Sequence, residues 1–135
     1  DDVVLPYAYS QALFAAGDYT RAAEVLREAL EKVTPDAEGV FYPRGLYAND
    51  DVLFDQIELL GAAADLYDYD ADLQLLLGYH LLGIGQTAEA LDPLERASAD
   101  LLNYKAAKVL LDLAEKISIE QAAQPKPEGL VADSD

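Results

Sequence analysis

The sequence predicts an all-α fold built from antiparallel helix pairs. Three observations carry this expectation. Apolar residues recur at three- and four-residue spacing along almost the whole chain, β-branched runs are missing, and glycine-centred breaks cut the periodic stretches into helix-sized pieces. With 135 residues and 14.6 kDa the chain makes one domain, expected over 1–121. A chain of this size can bury roughly 65–70% of the surface its unfolded form exposes, so it needs neither disulfide nor metal to fold.

The first periodic segment begins near Val4 and runs to about Ala16, with Ala12, Leu13 and Ala16 marking one face. Gly17-Asp18 breaks it, and a second segment follows from Tyr19 to about Val33 along Ala22, Val25, Leu26, Ala29, Leu30 and Val33. Thr34-Pro35 ends this pair, because proline disfavours helical geometry in the residue before it. Residues 36–49 hold Gly39, Pro43 and Gly45, which interrupt a helix, and Phe41, Tyr42, Leu46 and Tyr47, which are too apolar for a solvated loop. They predict an ordered connection that packs aromatic rings onto a neighbour, with one short turn near 43–47. Asn49 or Asp50 then caps a third helix, whose stripe is Leu53, Ile57, Leu60, Ala64 and Tyr67.

Asp70 caps a fourth helix to about Leu82, with Asp72 near its positive end, and Gly83-Ile84-Gly85 forms the next turn. A fifth helix covers about Thr87 to Ala99. Pro93 inside it predicts a kink, or a late start with Asp92 as cap. A sixth, capping helix over 101–119 places Leu102, Ala106, Val109, Leu110, Leu113, Ala114 and Ile117 on one face. Residues 122–135, with Pro125 and Pro127, read as an extended, flexible tail.

Composition excludes several functions. Asp and Glu number 26 against 9 Lys and Arg, for a net charge of −17, and a nucleic-acid site needs clustered cations instead. Hydrophobic residues make up 52%, too many for intrinsic disorder. Cysteine is absent, which removes disulfides, a thiol nucleophile and Cys-ligated metal. No apolar run approaches the ~18 residues of a spanning helix. The chain starts Asp1-Asp2 and contains no Met, as expected for a processed or excised piece of a longer product, and its compartment stays open.

The two glycine-centred pairs repeat each other. Tyr9-Ser10, Leu13, Gly17-Asp18-Tyr19, Ala22, Leu26 and Ala29 align without gaps on Leu77-Gly78, Leu81, Gly85-Gln86-Thr87, Ala90, Leu94 and Ala97, at an offset of 68 residues. That is two periods of about 34. The pattern resembles the tetratricopeptide repeat family over about 4–34 and 71–102, whereas 36–69 keeps the length but has Asp51 where the turn glycine belongs. Gly45-Leu46-Tyr47, Asp51 to Leu60 and Leu76 to Leu81 look like a bacterial group of that family, often exported, in which a degenerate unit lies between ordinary repeats. The resemblance implies a right-handed superhelical stack: a repeat over 4–34, a degenerate repeat over 36–69, a repeat over 70–100, and the capping helix. It is silent on the ligand.

Candidate chemistry is sparse. Asp68, Asp70 and Asp72 have the spacing that opens a calcium loop, but Leu73 stands where the turn glycine belongs and Tyr79 where the closing glutamate belongs. Capping and solvation explain these aspartates and the Asn49-Asp50-Asp51-Asp55 cluster better, and no metal site or cofactor is expected. His80, the single histidine, falls within the best-formed helix, and no serine sits in a Gly-x-Ser-x-Gly context. No catalytic residue is assigned.

The nine tyrosines suit wet interfaces, each having an apolar body and a polar tip. Tyr9 and Tyr19 occupy motif positions and are expected in the core. In the family, the first helix of each pair lines a concave ligand groove. Carried across by position, the resemblance implies Tyr7, Gln11 and Phe14 from the first pair and Leu75, Tyr79 and Leu82 from the last. Phe41, Tyr42 and Tyr47 either line that groove or plug it. The function expected is a non-catalytic interaction module holding a peptide or protein segment, and the acidic surface favours a basic one. The alternative is a structural, self-assembling module of a larger exported protein with its groove filled by 36–49.

Overall fold

The structure, a computed structural model, describes residues 3–34, 39–43 and 49–123. Among these residues it contains six helices and no strand: α1 (Leu5–Ala15), α2 (Tyr19–Glu31), α3 (Asp50–Leu66), α4 (Ala71–Gly83), α5 (Thr87–Ser98) and α6 (Tyr104–Ala123). Tyr47, the rest of the expected 43–47 turn, the Pro35 stop and the tail from 124 lie outside the described residues.

The two hairpins close in the same way. Gly17 and Gly85 take left-handed backbone angles, with φ of 83° and 86°. At the first turn the amides of Gly17 and Asp18 donate to the carbonyls of Phe14 and Leu13; at the second, those of Gly85 and Gln86 donate to Leu82 and Leu81. This double closure satisfies the last carbonyls of α1 and α4, and glycine reaches the required φ without steric cost. Asp18, Asn49 and Asp70 each accept a first-turn amide, from Arg21, Val52 and Leu73 respectively, so the caps of α2, α3 and α4 fall where side-chain chemistry puts them.

Small residues set the spacing of the pairs. Ala22, Ala90 and Ala97 have no exposed surface, and Leu26 and Leu94 fill the space beside them. Gly78 is the tightest position: a Cβ there would lie 2.3 Å from Cδ2 of Leu94. Its counterpart 68 residues earlier, Ser10, is buried and donates its hydroxyl to the Ala22 carbonyl at 2.8 Å, tying α1 to α2.

The first pair packs directly on the last through α2 and α4, while α3 packs chiefly on α4 and α6 covers α5, α2 and part of α4. α3 therefore lies beside α4, and α2 reaches α4 directly. A helix buries its apolar stripe on whichever neighbour offers most apolar surface, and α4 offers it on nearly every side. Leu73, Gln74, Leu75, Leu76, Gly78, Tyr79, His80 and Leu82 are all buried there.

Other differences are local. In α1 the buried face is Tyr7, Ser10, Gln11 and Phe14, while Ala12 and Ala16 are exposed, because two aromatic rings gain more from burial than two alanines. Tyr67 ends α3 as its half-exposed C-cap, outside the stripe of Leu53, Ile57, Leu60 and Ala64. The α5 helix runs unbroken from Thr87 through Pro93. The hydrogen bond that Pro93 lacks would have gone to the carbonyl of Glu89, an exposed residue that water can reach. Asp92 is no cap; its carboxylate accepts from Arg96 at 3.0 Å. The α6 helix starts three residues later than expected and extends to Ala123, leaving Leu102 exposed in the preceding turn. Tyr9 is 46% exposed and its hydroxyl accepts from Arg21 at 2.6 Å, so it is not a core residue.

Two glycines of similar helical context should respond oppositely. Gly78→Ala is expected to cost about 1–3 kcal/mol, because the new methyl must displace Leu94. Gly61→Ala, where a Cβ meets nothing within 4 Å, should gain about 0.5–1 kcal/mol from helix propensity. Urea unfolding of both variants beside the parent chain measures this contrast.

Candidate functional site

Of the six positions carried over from the resemblance, Tyr7 of α1 and Tyr79 of α4 meet ring to ring. Tyr7, Gln11, Phe14, Leu75, Tyr79 and Leu82 are all buried, however, and present no open groove. The reason is the strap of residues 39–43, which lays two rings over them. Phe41 lies 6.0 Å from Tyr7 and Tyr42 lies 5.1 Å from Tyr79, centroid to centroid, while Tyr7 and Tyr79 stack at 6.2 Å. The Tyr79 hydroxyl donates to the Phe41 carbonyl. Gly83 makes the seat for Tyr42, whose ring atoms would come within 2.4 Å of a Cβ at that position. What remains beside the strap is a half-enclosed apolar cavity of about 200 Å³ between Val40, Tyr42, Leu82 and the α6 residues Leu110, Leu113 and Ile117.

His80 sits at the inner end of this aromatic cluster. Its ring stacks on Phe14 at 3.9 Å, and its Nδ1 shares a hydrogen bond of 2.6 Å with the Tyr42 hydroxyl. Its buried Nε2 has no hydrogen-bond partner among the described residues, and neither do the two amide atoms of Gln11. Burial among these groups lowers the His80 pKa to about 3 and pushes the Tyr79 and Tyr7 hydroxyls up, for Tyr79 with added repulsion from Tyr42 and Tyr7. Two serine hydroxyls are engaged elsewhere: Ser10 donates to the Ala22 carbonyl and Ser98 to the Glu95 carbonyl.

The aspartates of 68–72 divide between separate tasks. Asp70 caps α4, and Asp68 faces Arg96 at 4.0 Å. Asp72 joins a buried polar knot that sequence reasoning missed. Arg27 of α2 donates to Asp72 at 3.0 Å and to Asn103 at 3.1 Å, while Asn103 Nδ2 donates to both Asp72 and Asp100. The knot joins α2, α4 and the turn before α6. Its signal was an arginine and an asparagine at positions that helical spacing assigns to buried faces. Among the described residues, no group of three or more His, Cys, Asp or Glu could hold a metal ion.

A second feature lies on the opposite side of α4. There α3 and α5 form the walls of an open trough of about 620 Å³ whose floor is Leu77, Leu81 and Ile84. Gly61 leaves its α3 wall low, with empty space where a side chain would stand. A contiguous depression of about 340 Å³ extends it past Asp68, Pro93 and Arg96. Glu58 and Asp65 line the α3 wall, and Glu89 and Asp92 the α5 wall. Sequence reading did not group these residues into a surface feature; the available clue was a glycine inside an otherwise well-formed helix.

The histidine supplies a measurable signature. Folded His80 is neutral down to about pH 3, whereas the unfolded ring protonates below roughly pH 6.5. The unfolded state therefore binds the extra proton between these values, and this contribution to stability falls as pH drops through that window. From pH 7 to 5 the parent chain should lose about 2 kcal/mol more than His80→Leu. Paired urea titrations read the difference, in which the shared carboxylate titrations cancel.

In comparisons with family models, curated proteins and solved structures, the chain matches none.

Proposed function

We infer that the chain is a non-catalytic protein-interaction module, a helical-repeat unit similar to the tetratricopeptide family in which two hairpins pack in a right-handed superhelical sense. The observation that carries this reading is the pair of equivalent hairpins at an offset of 68 residues, closed at Gly17 and Gly85 by the same pair of hydrogen bonds. Such packing yields a rigid scaffold whose outer helix faces are available to partners. Phe41 and Tyr42 pack on Tyr7 and Tyr79, two of the positions that the resemblance implies for a groove, so this reading assigns recognition to the exterior. With a net charge of −17 that exterior favours basic segments and speeds their approach at low ionic strength.

A library of random peptides displayed to the immobilised chain tests this reading. Enrichment of cationic peptides at low salt, fading as salt rises, is expected. No enrichment, or enrichment indifferent to charge and salt, would sink it.

A second reading, a self-assembling structural module within a larger exported protein, is favoured by the filled hollow and by the outward face of α3. There Val52, Leu59 and Leu66, spaced by seven, are 47%, 66% and 72% exposed. It requires oligomers whose population grows with concentration in sedimentation velocity. A chain that stays monomeric at millimolar concentration would eliminate it.

A further inference from the structure

We propose that the trough between α3 and α5 is a docking site for a basic amphipathic helix of another protein. This rests on reading the chain as an interaction module and assigns that module's surface and partner. The floor is apolar and partly exposed, formed by Leu77, Leu81 and Ile84 of a helix that is otherwise sealed on nearly every side. The walls are two helices, and the α3 wall from Phe54 to Asp65 runs about 16 Å, or three turns. A guest of that length offers an apolar stripe at i, i+3, i+4 and i+7 to the floor while keeping its own backbone bonded.

Charge selects the occupant. Glu58 and Asp65 stand on one rim and Glu89 and Asp92 on the other, so a seated helix meets carboxylates along both flanks. Among the described residues lining the trough the one cation is Arg96, which is paired with Asp92 at 3.0 Å and lies 4.0 Å from Asp68. Lysines or arginines on both sides of an apolar stripe complement this arrangement. A second copy of this chain does not, because it brings its own net charge of −17 to an acidic rim. Gly61 supplies the remaining element, since any larger residue at the middle of the α3 wall would stand in the space the guest needs.

That glycine also provides the test. Gly61→Gln fills part of the trough, adds no charge, and replaces a helix-interior glycine with a better helix former, so the variant should fold at least as well as the parent. The probe is a fluorescein-labelled peptide of leucine, alanine and lysine, about 14 residues long to cover the wall, with leucines on one helical stripe and lysines flanking it. A control peptide of identical composition scatters the leucines around the helix. Anisotropy at low ionic strength should show binding of the striped peptide and weaker binding of the scattered one.

Gly61→Gln should lower affinity by about tenfold or more, and the triple variant Glu58→Lys, Asp65→Lys, Glu89→Lys should remove it, with thermal melts confirming that both fold. Equal binding of the two peptides, equal affinity in Gly61→Gln, or no binding by the parent chain each overturns the proposal. If library peptides bind while Gly61→Gln leaves their affinity unchanged, the trough is excluded and the interaction-module reading stands. If instead the parent chain self-associates and Gly61→Gln abolishes this, the occupant is a second copy and the proposed partner is wrong.

Discussion

One helix dictates the rest of this structure. α4 is apolar around nearly its whole circumference, and such a helix is stable in water only if most of that circumference is covered. Four helices and a strap divide that work: α5 closes on Gly78, α2 and α6 both pack against α4, α3 lies along the Leu77 side, and Phe41 and Tyr42 seal the Tyr79 side. The closest contact, between Gly78 and Leu94, admits no extra methyl group and so sets the geometry of the second hairpin. The first hairpin repeats that geometry with Ser10 in the same place, and joins the assembly through α2.

Sealing α4 by a strap has a consequence for recognition. A helical scaffold that leaves its inner hollow open can grip a peptide there, but here the chain supplies its own occupant. Tyr79 donates to a strap carbonyl, and Tyr42 reaches His80, so the strap is held by polar bonds as well as by ring contacts. Desolvated hydrogen bonds of this kind are costly to leave unmade, which favours the closed arrangement. Apolar surface is exposed elsewhere, including the trough over Leu77 and Leu81 and the outer face of α3.

The candidate site was legible in part. The positions Tyr7, Gln11, Phe14, Leu75, Tyr79 and Leu82 are all buried, and Tyr7 of α1 meets Tyr79 of α4 ring to ring. Whether Phe41 and Tyr42 line or fill a groove there depends on the path of a non-helical segment, which has no periodicity to read. The pairing within the Arg27–Asp72–Asn103 knot was equally hidden, since it joins residues 45 and 31 positions apart and no local spacing reports such partners.

The chain's own chemistry determined the helical class, the caps at Asp18 and Asp70, and both glycine bends, because each depends on interactions within a few residues. Tertiary structure decided which faces were buried, the late start of α6, the unbroken passage of α5 through Pro93, and the placement of α3 beside α4. Those outcomes turn on competition for apolar surface among distant segments. Local propensity cannot rank such competitors; only their simultaneous packing around α4 does.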